Sequence, residues 1–136
     1  MVGYGFNKDL PSDLNKEFNN VFIYAGNPAG DNKSNGGLGK WNKLKPGFGV
    51  GFSSDGIKNN YSKRFGIELS YARKLQELYP NEKIAIIKYA KGGSSIDSIA
   101  AAHFGSWEVD YKSVDGINQY DHFLTTLNGA FSTTDI

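Results

Sequence analysis

Lys83-Ile84-Ala85-Ile86-Ile87-Lys88-Tyr89-Ala90 runs without a break into Lys91-Gly92-Gly93-Ser94-Ser95-Ile96. The first eight residues have a nearly continuous apolar centre, the pattern of a strand buried on both faces of a parallel sheet. The glycines that follow are punctuation. Upstream, Phe65, Leu69, Ala72, Leu75 and Leu78 recur at helical spacing, and Arg73, Lys74, Gln76 and Glu77 fall elsewhere. This predicts a helix from about Ser62 to Tyr79, ended by Pro80-Asn81. Earlier still, Val21-Phe22-Ile23-Tyr24 is a short β-forming run stopped by Ala25-Gly26-Asn27-Pro28. Strand, helix and strand compose a βαβ unit, which brings its two strands parallel. Downstream, Ser94 to Ala102 reads as a helical turn or short helix. Ile117 to Phe131 reads as a second long helix with Tyr120, Phe123, Leu124, Leu127 and Phe131 inward. The predicted class is α/β.

Between the first strand and the helix lies a glycine-rich stretch from Asn27 to Asn60, with Trp41, Leu44, Phe48, Val50, Phe52 and Ile57 as its large apolar anchors. It reads as a long loop packed on a surface, and loops of such length inside a domain tend to be functional or disordered. An exposed Trp41 with Phe48 would suit stacking on a sugar ring.

The 136 residues fit one domain, 1–136, and 39% hydrophobic content with 9 Phe, 8 Tyr and 2 Trp is that of a folding chain. Formal charge is +1 with no block of like charges, which argues against nucleic acid and anionic membrane as partners. No cysteine is present, so thiol nucleophiles and cysteine-held metals are excluded. No apolar run approaches a membrane span, and the N-terminal residues lack the pattern of a signal peptide, which leaves the compartment open.

Chemistry belongs where the second strand opens into Gly92-Gly93-Ser94, because the carboxyl edge of parallel strands is where α/β proteins bind ligands. Two glycines let backbone N–H groups approach a substrate, and Ser94 or Ser95 would cap the following helix, whose N-terminus favours negative charge. An oxyanion hole has those parts. A plain strand-to-helix turn with a serine cap has them too. Gly3-Tyr4-Gly5-Phe6 and Gly47-Phe48-Gly49-Val50-Gly51 look like nucleotide loops, but neither follows a strand and opens a helix. His103 and His122 have no carboxylate at triad or metal-ligand spacing, so no metal site is expected. Glu68 reads as a carboxylate favoured in the first turn of its helix.

Phe65-Gly66-Ile67-Glu68-Leu69-Ser70-Tyr71-Ala72-Arg73-Lys74-Leu75, followed by Ile84 to Ser95, resembles the sialate O-acetylesterase and acetylxylan esterase group of the SGNH hydrolases. Members of that group have a Phe-Gly-Pro-Glu-like helix start, a strand ending in Gly-Gly-Thr or Gly-Gly-Ser, then a Trp and a Tyr-containing helix, places that Trp107 and Tyr120 take here. Ile67 replaces the proline. Met1-Val2-Gly3-Tyr4-Gly5 resembles the continuation of the group's Gly-Gln-Ser-Asn nucleophile block.

The resemblance implies a three-layer α/β/α sandwich on a parallel, flavodoxin-like sheet. It also implies a carboxylic ester hydrolase in which a serine with a histidine base, and no cofactor, removes acetyl groups from sugars. In that register the nucleophile falls upstream of Met1, and the later Gln-Gly-Glu and Asp-x-x-His blocks do not occur. The chain therefore holds no catalytic residue and reads as part of a domain, with the strand between its two visible strands missing and self-association through exposed sheet edges expected. Gly92, Gly93 and Ser94 carry over as the oxyanion-hole side, and Trp41, Phe48 and Trp107 are candidate contacts to an acetylated carbohydrate. The competing reading is a non-catalytic carbohydrate-binding or interaction module, motivated by the missing nucleophile.

Overall fold

The computed structural model describes residues 2–30, 33–112 and 117–133. Met1, where the predicted nucleophile-block continuation begins, lies outside them. In chain order the strands are β1 (Gly5–Phe6), β2 (Val21–Ala25), β3 (Trp41–Lys43), β4 (Ser53–Ser54), β5 (Asn59–Asn60), β6 (Arg64–Phe65) and β7 (Ile84–Lys88). The helices are α1 (Glu68–Leu78), between β6 and β7, and α2 (Gln119–Ser132). Short 3₁₀ turns cover Asn7–Asp9, Ser98–Ala100 and Ala102–Phe104.

The predicted pairing of the two apolar runs forms. β2 and β7 are parallel, with Val21 opposite Ile84, Ile23 opposite Ile86 and Ala25 opposite Lys88. Residues opposite one another share a face, and on this face α1 contributes Leu69 and Ala72 to a core that includes Leu44, Phe48 and Phe18.

The predicted α/β class, a three-layer sandwich on a parallel flavodoxin-like sheet, does not form. Among the described residues the strands make three small sheets, β1-β6, β3-β2-β7 and β4-β5, and every pairing between these strands except β2 with β7 is antiparallel. The stretch read as a loop is the cause. Its Trp41–Lys43 segment takes the free edge of β2, with Phe22 opposite Lys43 and Tyr24 opposite Trp41, and its Ser53–Ser54 and Asn59–Asn60 segments pair with each other. Nor does any strand separate β2 from β7, which are direct neighbours, so that reason for expecting self-association falls away. As an edge strand β7 is not enclosed on both faces: Ile84 is buried, Ala85 exposed, and Ile86 and Ile87 half-buried.

The helices differ from expectation in extent and in facing. α1 begins at Glu68, because Arg64 and Phe65 are held in strand pairing with Phe6 and Gly5. Leu78, expected inward, is exposed. In α2 the buried stripe is Gln119, His122, Thr126 and Ala130, whereas Leu124 and Phe131 face solvent and Tyr120, Phe123 and Leu127 are half-buried. Hydrogen bonding explains the reversal. The sheet face and loop beneath α2 present Tyr89 Oη and the Gly37 carbonyl, and the helix answers with Gln119 Oε1 at 2.7 Å, His122 Nδ1 at 3.1 Å and Thr126 Oγ1 at 3.1 Å.

Candidate functional site

A cavity of about 230 Å³ opens at the carboxyl ends of β2 and β7. One wall continues from β2 through Gly26, another from β7 through Lys88, Ala90, Lys91 and Gly92. Val2 and Tyr4 face them from the N-terminal segment, and the Phe48 to Phe52 loop closes the side. The loop is tied to the rest by backbone bonds from Gly49 N–H to Arg64 O (2.9 Å) and from Val50 N–H to Gly3 O (2.9 Å). Gly3 makes the crossing possible. Its φ is +89°, and a side chain there would meet the Gly66 backbone.

The cavity's polar end is built on an ion pair. Lys88 Nζ donates to Glu68 Oε2 at 2.8 Å and to the Phe48 carbonyl at 2.6 Å, while Glu68 Oε1 accepts the Gly66 N–H at 2.8 Å. The two side chains are 14% and 1% exposed. A buried carboxylate with hydrogen bonds on both oxygens fixes where the ammonium sits, and breaking such a pair leaves an uncompensated charge. Glu68 thus does more than suit the first turn of its helix: it holds a lysine that lines the cavity.

Of the residues predicted for a site, Gly92 and Phe48 line this cavity, and Trp41, Gly93, Ser94 and Trp107 do not. Phe48 is a core residue, 2% exposed, with its ring packed on Phe52 and Tyr61. Trp41 is a bracket: its ring meets Tyr24 edge-on and its Nε1–H donates to the Ala130 carbonyl at 3.0 Å. Trp107 packs against Tyr89 and Phe123 and donates Nε1–H to Ser94 Oγ at 3.0 Å. Gly93 occupies a turn at φ +79°, where a side chain would run into the Phe104 ring.

Ser94 caps no helix, because Gly92-Gly93 is a turn and the next helical residues are Ser98–Ala100, capped by Asp97. Its hydroxyl donates to the Lys91 carbonyl at 2.9 Å and accepts from Trp107. No histidine partners Ser94 among the described residues. His122 is buried against Tyr89, and His103 lies against the Phe104 ring.

Lys88, Lys91 and Gly26 were not singled out as site residues from the sequence, and Tyr4 and Gly51 were noted only as members of glycine-rich segments. The spaced glycines of Gly47 to Gly51 were a signal for part of this wall, as a loop that comes close to another backbone. The Glu68–Lys88 pairing, twenty residues apart and on different elements, leaves no local pattern. Among the described residues no group of three His, Asp or Glu side chains is placed to hold a metal ion, and no helix is long and apolar enough to cross a membrane. No protein-family model, curated protein or solved structure matches the chain.

Proposed function

We propose that this chain binds an acetylated carbohydrate in the Gly26–Gly92 cavity and forms the backbone-donor side of a carbohydrate O-acetylesterase site, in which a serine ester hydrolase removes acetyl groups from sugars. The observation that carries this reading is the position of the cavity. It lies at the carboxyl ends of two parallel strands, walled by Gly92 of the segment that resembles the esterase group and by Val2 and Tyr4 of the segment that resembles the continuation of its nucleophile block. A side chain on Gly92 would come within 3.4 Å of Val2 and 3.6 Å of the Tyr4 hydroxyl, so the two segments converge at one spot. At about 230 Å³ the cavity is smaller than the ~300–1,000 Å³ of drug-sized clefts and suits one sugar ring with its substituent.

Ester hydrolysis needs a nucleophile, a base within hydrogen-bond reach of it and an oxyanion site. Among the described residues the lining contains no serine or histidine, and this favours, as a second reading, a binding module that does not turn its ligand over. Both readings are tested on the purified 136-residue chain. An acetylated xylo-oligosaccharide is expected to shift the amide resonances of Gly26, Gly51 and Gly92 at millimolar concentration, and p-nitrophenyl acetate and acetylated xylan to release no acid above a protein blank. Absence of any shift at those glycines overturns the cavity as the carbohydrate site. Turnover abolished by Ser94→Ala overturns its placement and moves the chemistry to the Ser94–Trp107 corner.

A further inference from the structure

We propose that the Lys88–Lys91 end of the cavity is a binding site for a carboxylate group. Among the described residues two lysines and no aspartate or glutamate line the cavity, so the described walls carry an excess of positive charge. An ammonium has three N–H donors. Lys88, which lines the cavity, spends one on Glu68 and one on the Phe48 carbonyl, and its third has no acceptor among the described residues. Glu68 offsets the Lys88 charge and acts as a positioning residue. The Lys91 ammonium has no ion-pair or hydrogen-bond partner among the described residues, so none of them compensates its charge.

Lys91 and Gly92 are both in the lining. Neither the Lys91 nor the Gly92 N–H has a protein acceptor among the described residues, and the Tyr4 hydroxyl lies close to Gly92. A carboxylate, acceptor-only with two oxygens, matches a wall of donors around an unpaired cation, and charge-assisted bonds of this kind are the strong ones. Beside this end, Val50 and Phe52 offer an apolar wall for a short alkyl or ring portion. The site rests on the same cavity as the carbohydrate reading and adds what its ligand carries: an acid group, free or attached to a sugar.

The test is amide-resonance titration of the whole chain with sodium acetate, sodium glucuronate and methyl glucoside, against sodium chloride at matched ionic strength. Saturable shifts at Lys91 and Gly92 are expected with acetate and glucuronate and absent with methyl glucoside and chloride. Equal affinity for the two acids assigns the site to free carboxylates, and tighter glucuronate to a sugar-borne one. Lys91 is half-buried rather than core, so Lys91→Met is expected to keep the wild-type melting curve while weakening acetate about tenfold or more, with Lys91→Arg retaining binding. Acetate shifts no larger than those of chloride, or unchanged affinity in Lys91→Met, overturn the proposal. The two readings fail separately. Shifts with a neutral acetylated oligosaccharide but not with carboxylates sink this inference alone, and the reverse result sinks the ester-binding reading alone.

Discussion

The two faces of the β3-β2-β7 sheet are held by different forces. Toward α1, Val21, Ile23, Leu69 and Ala72 are fully buried, and the contact is apolar packing apart from the Glu68–Lys88 pair at its carboxyl edge. Toward α2, the contact is hydrogen bonding: Tyr24 Oη accepts the Gly39 N–H at 3.1 Å, Trp41 donates to the Ala130 carbonyl, Tyr89 meets Gln119 and His122, and Thr126 donates to Gly37. Burial of apolar area is non-directional, whereas hydrogen bonds demand distance and angle. The α1 face therefore tolerates any side chain of suitable volume, and the α2 face accepts only groups that complete its network.

The sharpest way to break this comparison is a matched pair of leucines. Leu69→Ala, at a fully buried position, is expected to cost about 2–5 kcal/mol by denaturant unfolding, and Leu124→Ala, on the outward side of α2, less than about 0.5. Equal costs would mean that α2 packs through its apolar stripe after all.

Tyr89→Phe tests the opposite face. It keeps the ring against Trp107 but leaves Gln119 Oε1 without the phenol, at an expected cost of about 1–3 kcal/mol. A neutral effect would show that the network is ornamental.

The smallest effect belongs to a turn on neither face and serves as a control. Asp55 accepts the backbone N–H groups of Lys58 (2.6 Å) and Ile57 (2.9 Å), and these bonds hold its carboxyl below the usual carboxylate range. A folded pKa below the unfolded one contributes stability above the ordinary carboxylate value and loses it as pH falls through the lowered one. The melting temperatures of wild type and Asp55→Ala should differ slightly at neutral pH and converge in acid. A gap that widens on acidification would contradict the assigned bonds.

What could be read in advance follows the same division. The pairing of Val21–Ala25 with Ile84–Lys88, and the Leu69 and Ala72 face of α1, were legible because apolar burial leaves a periodic trace along the chain. For α2 the same reasoning pointed to the wrong side. Phe123, Leu124 and Phe131 are more apolar than His122 and Thr126, and only the partners waiting at Tyr89 and Gly37 reverse the preference. Of the site, Gly92 was legible as a glycine at the end of a strand. Lys88 was not legible, since nothing near it in the chain announces Glu68.

The amino-acid sequence by itself determined the local elements whose apolar residues recur at helix or strand spacing: β2, most of α1, β7, and the glycine turn after it. Tertiary structure alone decided that Trp41–Lys43 would pair with β2, that α2 would turn its polar stripe inward, and that Glu68 would hold Lys88 at the wall of a cavity lined also by Tyr4 and Gly26. The physical reason is range. Hydrophobic periodicity is a property of neighbours along the chain, whereas a strand edge, a buried donor or an ion pair is completed by a partner that sequence distance does not reveal until the chain has closed on itself.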